Sequence, residues 1–279
     1  MMTTTEREKE REKSLAQFAN QVFSGTGLAA GRLRLQVARI APHYRIALVI
    51  GERGVGKQVI AHELHKRSPV AHLPFVAMEL AEFTESKPAG AEGGTVYLRG
   101  LERSHPALQE PLLRRLKAMP REVRVVFGCE RDLKGMVAAG RLRADVYDAI
   151  AMLEIRIAPL RERLDDLEAL ANSLLRRDGR AAWFAPSAIT VMSQHAWPGN
   201  LEELARMCDA LGAIEGAVDA HRLPALEGTP VRTTVRLDEV MQNHVMDVLQ
   251  QCAGNKLKAA ELLGISRSTL YRMLETALA

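Results

Sequence analysis

A glycine-rich loop between a strand pattern and a helix pattern restricts the possible folds of this chain more than any other segment. The run Ile46–Ile50 is short and continuously apolar, which is typical of a strand buried in a parallel sheet. The loop follows directly, and helical spacing of apolar residues begins after it. A strand, a glycine-rich loop, a lysine and a helix in this order indicate a phosphate-binding P-loop. The loop residues are Gly51, Glu52, Arg53, Gly54, Val55, Gly56, Lys57 and Gln58.

The residue types of this loop suit the binding of phosphate. Glycines allow backbone N–H groups to turn toward phosphate oxygens, and the N-terminus of the following helix adds partial positive charge. Lys57 is long enough to reach the outer phosphates. We therefore expect these eight residues to form a nucleotide site for ATP or ADP, although an intact loop does not by itself establish that nucleotide still binds.

The rest of the first two-thirds of the chain alternates between strand and helix patterns. Apolar runs at 75–78, 95–98, 123–127 and 152–157 indicate further strands, and a helical stripe lies between two of them at Leu108, Leu112, Leu113 and Leu116. Alternation of this kind predicts an α/β domain with a parallel sheet. From Leu164 onward strand signals stop. Three helical patterns, at 165–177, 186–195 and 201–212, predict a small helical subdomain, and the Pro- and Gly-containing stretch 220–236 predicts a linker.

The C-terminal segment predicts two helices that meet at a tight corner. Gly264 can adopt the left-handed conformation that ends the first helix, and Ser266 is a suitable N-cap for the second. The first helix has an apolar stripe of Ala259, Ala260, Leu262 and Leu263, and the second keeps Leu270, Met273 and Leu274 on the core side. A small residue at the crossing, a glycine at the corner and a polar face at the start of the second helix predict a helix-turn-helix that binds the major groove of DNA. An ordinary helical hairpin is the alternative.

The exposed residues of this pair of helices fall into two groups. Those at the start of the second helix are candidates for contact with base edges: Arg267, Ser268, Thr269 and Arg272. Three others are candidates for contact with phosphates: Lys256, Lys258 and Tyr271.

Two further motifs are similar to a dinucleotide-binding fingerprint and to a zinc-binding helix, but neither has the required spacing. The glycines of 25–31 have the wrong spacing for a dinucleotide fingerprint and follow no strand, so we interpret this stretch as a turn. His62 and His65 are one residue too close for a zinc-binding helix, and we interpret them as two surface histidines. No metal site is expected.

Composition narrows the class of protein. The net charge of +4 permits nucleic-acid binding without establishing it. The three cysteines are far apart and suit reduced thiols, the N-terminus lacks the apolar region of a signal peptide, and no run is long enough to cross a membrane. We therefore expect a cytoplasmic protein with no membrane partner. Residues 6–13 alternate in charge and predict a solvated lead-in helix.

Together these motifs closely resemble the sigma-54 enhancer-binding (NtrC-like) family. Beyond the P-loop, the matching stretches are 74–77, 93–98, 131–133, 141–147, 159–163 and 197–204, and 237–279 resembles the Fis-type DNA-binding domain. The resemblance implies a charged lead-in at 1–21, an α/β subdomain of an AAA+ domain at 22–163, a helical lid at 164–219, a linker at 220–236 and an all-α helix-turn-helix domain at 237–279. It also implies a homodimer formed by the helix 237–251, a higher oligomer, and an inverted-repeat DNA site.

The chain departs from the family at positions that carry chemistry. In the family the third strand ends in an Asp-Glu pair that holds magnesium and polarises water, and here Arg99 and Gly100 occupy those positions. Glu130 replaces a sensor Asn, and Glu202 replaces the sensor Arg of the lid. Of two arginines that reach a neighbouring subunit's phosphate, Arg143 is kept as a candidate arginine finger, and the second appears as Ala149. The interval 79–92 has no GAFTGA motif, which in the family contacts the sigma factor.

The leading hypothesis is therefore a sequence-specific DNA-binding regulator that keeps the P-loop but has lost ATP hydrolysis and sigma-54 remodelling. Glu102, two residues after Gly100, is the one nearby carboxylate that could substitute for the missing pair. Two alternatives stay open: an active ATPase that remodels a partner, and an adaptor that joins rings of an active AAA+ relative through Arg143. With no sensing domain before residue 22, we expect the controlling signal to arrive through a partner protein or through the level of expression.

Overall fold

The computed structural model describes residues 25–85, 93–176, 179–224, 256–266 and 270. The chain divides into two compact units, Met1–Pro230 and Val231–Ala279, and each is described by itself. No helix among the described residues combines the length and apolar character that a membrane span requires.

The larger unit is built on a parallel sheet of five strands. Their order across the sheet is β2-β3-β4-β1-β5, and every neighbouring pair is parallel. All five strands match the expected positions to within two residues at each end. The fifth, assigned at 154–156, is shorter than the predicted run, although Leu153 and Ile157 on either side of it are still hydrogen-bonded to Leu48 and Ile50 of β1. The strands are β1 (Ile46–Ile50), β2 (Phe75–Glu79), β3 (Gly94–Arg99), β4 (Val123–Cys129) and β5 (Glu154–Arg156).

Both faces of the sheet are covered, which explains why its central strands are continuously apolar. Along β1, Ala47 and Val49 belong to one hydrophobic cluster, whereas Leu48 and Ile50 belong to another. Successive side chains of a strand point to opposite faces, so the two clusters form the two layers between sheet and helices. The helices of this part are α1 (Leu28–Ile40), α2 (Lys57–Lys66), α3 (Leu80–Glu85), α4 (Gln109–Ala118), α5 (Leu133–Ala138) and α6 (Ala144–Ile150).

A smaller subdomain follows the sheet and shares its core. Its helices are α7 (Leu167–Leu175), α8 (Pro186–Ser193) and α9 (Asn200–Ala210). The expectation that strand signals stop after Leu164 is wrong: β6 (Ala182–Phe184) and β7 (Gly216–Val218) form a two-stranded parallel sheet. Strands of three residues are too short to produce a recognisable alternation in sequence. The cluster on one face of the main sheet continues through Trp197 and Leu204 into this subdomain.

His62 and His65 are buried, so their assignment to the surface is wrong. Their exposed fractions are only 7% and 5%, because α2 is enclosed by α1 and by strands β1, β3 and β4. The Nδ1 atom of His65 lies 3.0 Å from the hydroxyl oxygen of Thr95, which in turn lies 3.3 Å from the hydroxyl oxygen of Tyr44. Burial is the main cause that lowers the pKa of His65 to about 4. The two rings also pack against Phe75.

The glycine-rich stretch before α1 is a turn only in part. Residues 25–27 precede the helix, but Gly31 lies inside α1, where Leu33 and Val37 form the buried face. The predicted linker also contains structure, because Ala220–Arg222 form a 3-10 helix capped by the carboxylate of Asp219. Its residues 225–236 lie outside the described part of the chain.

The described residues of the C-terminal unit agree with the predicted corner. Helix α10 (Lys256–Leu263) is followed by Gly264 with a positive φ of 66°, and Ala260 and Leu270 are buried. The backbone N–H of Leu270 donates to the carbonyl of Ser266 at 3.1 Å. Leu262, by contrast, is 64% exposed, so it does not belong to the buried stripe of this helix. Its position two residues after Ala260 turns it about 200° away around the axis.

Candidate nucleotide-binding site

The P-loop joins the end of β1 to the start of α2 at the carboxyl edge of the sheet. Gly54 and Gly56 adopt positive φ values of 79° and 96°, which a residue with a side chain rarely adopts. Gly56 is the N-cap of α2, and Lys57 is its first residue. The N-terminus of this helix therefore faces the loop, as phosphate binding requires.

Lys57 points back into the loop. Its Nζ atom donates to the carbonyl oxygens of Gly51 and Glu52, at 2.8 Å each. Burial lowers the pKa of Lys57, while the nearby carboxylates of Glu130, Glu102 and Glu202 act in the opposite direction. The ammonium group is thus partly buried, with three carboxylates near enough to stabilise its charge.

The lid is seated directly on the first half of the loop. The side chain of Asn200, at the start of α9, accepts a hydrogen bond from the backbone N–H of Leu160 at 2.8 Å. Its amide nitrogen donates to the carbonyl of Arg53 at 2.9 Å and to Glu52 Oε2 at 3.2 Å. The backbone N–H of Leu201 donates to the carbonyl of Gly54 at 3.0 Å. Loop and lid are therefore held by a set of interlocking hydrogen bonds.

An ion pair reinforces this arrangement. The guanidinium group of Arg161 binds both carboxylate oxygens of Glu52, with N–O distances of 2.5 and 2.8 Å. The hydrogen bond from Arg161 is the main cause that lowers the pKa of the Glu52 carboxyl. A two-point contact of this kind fixes orientation as well as distance. Arg161 lies in the segment that connects the sheet to the lid, so this pair joins loop, connection and lid.

The end of β3 carries a cation where a phosphate-transfer site needs carboxylates. The Nε atom of Arg99 lies 3.3 Å from Glu79 Oε1, and the two residues are register partners at the ends of β3 and β2. Gly100 has a φ of 83°, and a Cβ atom there would lie 2.7 Å from Glu79 Oε2. The ion pair therefore fills the space beside Gly100.

Three carboxylates act on Lys57 of the loop: Glu102, Glu130 and Glu202. Glu102 is half-buried beside Cys129, whose thiol pKa is raised by burial and by this carboxylate. The exposed Glu130 follows β4, and the exposed Glu202 lies on α9. The Nε atom of Arg53 is 3.9 Å from Glu202 Oε2, and both side chains are largely exposed. Such a pair contributes little to stability.

Arg143 lies on an exposed surface of the same unit. It precedes α6, and its guanidinium group binds Asp145 and Glu110, each at 2.7 Å. An arginine that acts on a neighbouring subunit must be exposed, and this one is. Its role as an arginine finger stays a prediction.

Most of the candidate DNA-binding residues lie outside the described part of the chain. This applies to Arg267, Ser268, Thr269, Tyr271 and Arg272, and to the side chain of Lys258; Lys256 is described and is exposed.

Sequence analysis assigned no role to Arg161, Asn200 or Glu79. Asn200 and Arg161 were noted only as parts of longer matching stretches, and Glu79 as one boundary of an interval. A signal for Asn200 was available, because a Pro-Gly-Asn sequence before a helical pattern indicates an unusual backbone. Asn200 indeed has a φ of 51°.

A parallel sheet in the order β2-β3-β4-β1-β5, a P-loop after β1 and a lid seated on that loop define a P-loop domain of the AAA+ class. Family models match almost the whole of the described chain. They are the sigma-54 interaction domain at residues 25–160, the AAA+ ATPase lid domain at 161–227, and the bacterial regulatory protein, Fis family, at 236–275.

Individual relatives agree with these matches. The chain is 31% identical to the Nif-specific regulatory protein of Azotobacter vinelandii over 85% of its own length and 55% of that protein. It is 30% identical to the transcriptional regulatory protein ZraR of Klebsiella oxytoca over 94% of its length and 70% of that protein. The crystal structure of NtrX from Brucella abortus in complex with ATP matches with a TM-score of 0.61 and 25% identity, over 90% of this chain and 68% of that one.

The chain therefore belongs to the family of sigma-54-dependent transcriptional regulators, with an AAA+ domain, its lid and a Fis-type helix-turn-helix domain. It spans only about half the length of the Nif-specific regulator that it matches.

Proposed function

We propose that this chain is a DNA-binding transcriptional regulator whose AAA+ domain binds nucleotide without hydrolysing it and does not remodel sigma-54 polymerase. The observation that carries the proposal is the ion pair between Arg99 and Glu79 at the end of β3. It occupies the edge of the sheet where the family has its magnesium-binding and water-activating carboxylates.

The chemistry of phosphoryl transfer explains why this pair matters. Hydrolysis of ATP depends on a metal ion that neutralises charge on the phosphates and on a group that positions the attacking water. Magnesium prefers oxygen ligands, and a guanidinium group provides none. The Glu79 carboxylate lies 3.3 Å from the Arg99 Nε atom, an ion-pair contact without hydrogen-bond geometry, and Gly100 has no side chain. A bound nucleotide would therefore lack both activating groups.

Nucleotide binding itself is supported by the conformation of the loop. The glycines hold the conformation that opens backbone N–H groups toward an anion, and α2 begins at Lys57. NtrX, a structural relative, was crystallised with ATP. The proposed nucleotide-binding residues are 51–58, with ATP or ADP as ligand and no metal. Glu130 and Glu202 place negative charge near Lys57, so we expect weak affinity.

The absence of the GAFTGA motif from the interval 79–92 supports the loss of sigma-54 remodelling. Regulation would then depend on the Fis-type domain, which we propose binds an inverted-repeat site as a homodimer through the helix 237–251. The candidate contact residues on DNA are those named above. Arg143 would serve assembly with a second AAA+ subunit, of this chain or of an active relative.

The test is an ATPase assay on the purified full chain, with the Lys57→Ala variant as control. We expect no phosphate release above that control, with or without DNA, while nucleotide binding measured by calorimetry is weakened by the same substitution. Magnesium-dependent turnover that disappears in Lys57→Ala would refute the non-hydrolytic role.

One observation favours a second candidate, an active ATPase. Glu102 lies within the site, and its Oε2 atom is buried without a hydrogen-bond partner among the described residues. A free carboxylate oxygen there has the chemistry needed to position water. If the wild-type chain does hydrolyse ATP, Glu102→Gln should abolish turnover and leave nucleotide binding intact.

A further inference from the structure

A cavity in the larger unit, apart from the P-loop, lies beside the connection between the sheet and the lid. Its volume is about 290 Å³. One wall is a face of α1, and the other is the last residue of β5 with the segment that follows it. The lining consists of Ala29, Arg32, Leu33, Gln36, Arg156, Ile157, Ala158 and Arg163. Three of these residues are arginines, and none is acidic.

Arg163 is the unusual member of this lining. Its exposed fraction is 4%, yet its Nε and Nη2 atoms have no hydrogen-bond partner among the described residues. A buried guanidinium group that lacks hydrogen bonds is costly, because its charge and its N–H groups have both been removed from water. Burial also lowers its pKa.

Asp166, the carboxylate that acts electrostatically on Arg163, does not satisfy its hydrogen bonds. Asp166 is fully buried, and its Oδ1 atom accepts the backbone N–H of Gly27 at 2.6 Å. Its Oδ2 atom, like the two nitrogens of Arg163, has no hydrogen-bond partner in the described chain. Asp166 reduces the positive charge around Arg163 without bonding to it, and it does not line the cavity.

The other two arginines lie at the more exposed part of the cavity. Arg156 is held by Glu154 at 3.0 Å and by Asp132 at 3.7 Å. Arg32 is exposed and makes no hydrogen bond or ion pair with the residues described. A ligand that enters would therefore meet the free guanidinium of Arg32 first and that of Arg163 at the buried end.

We propose that this cavity binds the phosphate group of a small phosphorylated metabolite, or free phosphate, with Arg163 as its buried partner. The planar fork of a guanidinium group matches phosphate oxygens in two-point contacts, and several arginines favour a dianion. The site is separate from the P-loop and uses none of its residues.

The dimensions of the cavity restrict the ligand. A volume of 290 Å³ is at the lower limit of ordinary ligand pockets, roughly 300 Å³. Leu33 and Ile157 supply an apolar wall beside the arginines. The cavity thus suits a phosphate ester of a few carbon atoms. Because the lining comes from both α1 and the connection to the lid, a bound ligand would tie these segments together.

Calorimetric titration of the full-length chain with inorganic phosphate tests the proposal. Because the P-loop is itself a proposed phosphate site, all proteins carry Lys57→Ala. We expect saturable binding in this parent, and weakening by about ten-fold or more when Arg163→Met is added, since a charge-assisted pair is lost. Arg32→Ala should weaken binding less. Arg39→Ala, on the same helix but outside the cavity, should change nothing.

Thermal unfolding without phosphate tests whether Arg163 instead has a structural role in the folded chain. We expect Arg163→Met to unfold at the same or a higher temperature than its parent, because methionine removes an unpaired buried charge, and to lose the stabilisation that phosphate gives the parent. A lower unfolding temperature would show that Arg163 has a partner within the chain and would overturn the proposal. So would an absence of phosphate binding in the parent, or equal binding in both proteins.

A titration with glycerol 3-phosphate distinguishes the two sources of the phosphate group. Tighter binding of the ester than of inorganic phosphate would identify a phosphorylated metabolite as the ligand. Equal or weaker binding of the ester would identify free phosphate.

Discussion

Asn200 joins groups that come from three separate parts of the chain. It binds the backbone N–H of Leu160 and both the carbonyl of Arg53 and the carboxylate of Glu52, and it adopts a positive φ. Asparagine tolerates this conformation better than most residues, because its short polar side chain forms local hydrogen bonds. The same residue therefore begins α9, positions the lid and holds the P-loop.

The burial of His65 leads us to expect that the free energy of unfolding depends on pH. In the folded chain the pKa of His65 is about 4, below its ordinary value of 6.5. Between these values the unfolded chain binds more protons, so the free energy of unfolding falls as pH decreases from about 6.5 to about 4. Above this window His65 contributes no slope. By about pH 4, this residue should have lowered the free energy of unfolding by about 3 kcal/mol relative to its value above pH 6.5.

The measurement is chemical unfolding of the wild type and of His65→Gln at several pH values. The substitution should flatten the curve between pH 4 and 6.5, and the same substitution at the exposed His72 should leave the wild-type slope. Parallel curves for the wild type and His65→Gln would contradict a neutral buried imidazole.

At the scale of elements, the close approach of lid and P-loop depends on glycine. A Cβ atom on Gly54 would lie 2.1 Å from the carbonyl oxygen of Gly199, so no side chain fits between the loop and the start of α9. The ion pair at the ends of β2 and β3 is less important for stability than this contact. Arg99 and Glu79 are both partly exposed, so their pairing contributes little to stability and matters because of the charge it places at the site.

The contact at Gly54 can be tested against a matched glycine. Gly54 and Gly140 have similar positive φ values of 79° and 65°, but an added Cβ on Gly140 would meet nothing within 4 Å. Gly140→Ala should cost about 1–2 kcal/mol from backbone strain alone. Gly54→Ala should cost on the order of 2 kcal/mol more, because the lid must shift. Equal losses of unfolding free energy would mean that lid and loop are not in contact in solution.

At the scale of the whole molecule, the Fis-type domain should determine which DNA the chain binds. In a helix, Arg267 and Arg272 are about 7.5 Å apart along the axis, so both can serve one half-site. Pairing of two chains then requires an inverted repeat, with half-sites about one helical turn apart. Arg267→Ala should cost on the order of 1–3 kcal/mol at the specific site and relax base preference there. Lys258→Ala should weaken binding to all DNA alike and reduce the salt dependence by about one unit.

Competition binding of the full chain and of a 236–279 fragment to randomised duplexes measures both effects. The fragment should keep much of the preference of the full chain. If neither protein enriches any sequence while both form helical dimers, the C-terminal unit is a protein-interaction hairpin.

The main sheet, the P-loop and the corner at Gly264 were predictable because each depends on residues close in sequence. Continuous apolar runs indicate buried strands, and a glycine-rich loop between a strand and a helix has few other meanings. The family resemblance, which the comparisons confirm, has the same local basis, since its motifs are short contiguous stretches such as 197–204.

Only the tertiary structure determined how distant segments meet. The pairing of β6 with β7, the burial of His65 and the ion pairs of Glu52 with Arg161 and Glu79 with Arg99 join residues far apart along the chain. Sequence periodicity reports which face of an element is apolar, but it does not report what covers that face or which charge lies opposite. The burial of Arg163 without a hydrogen-bond partner for its Nε and Nη2 atoms was likewise determined only by the tertiary structure. The residues on either side of it in sequence give no sign that the fold would bury a guanidinium group in this way.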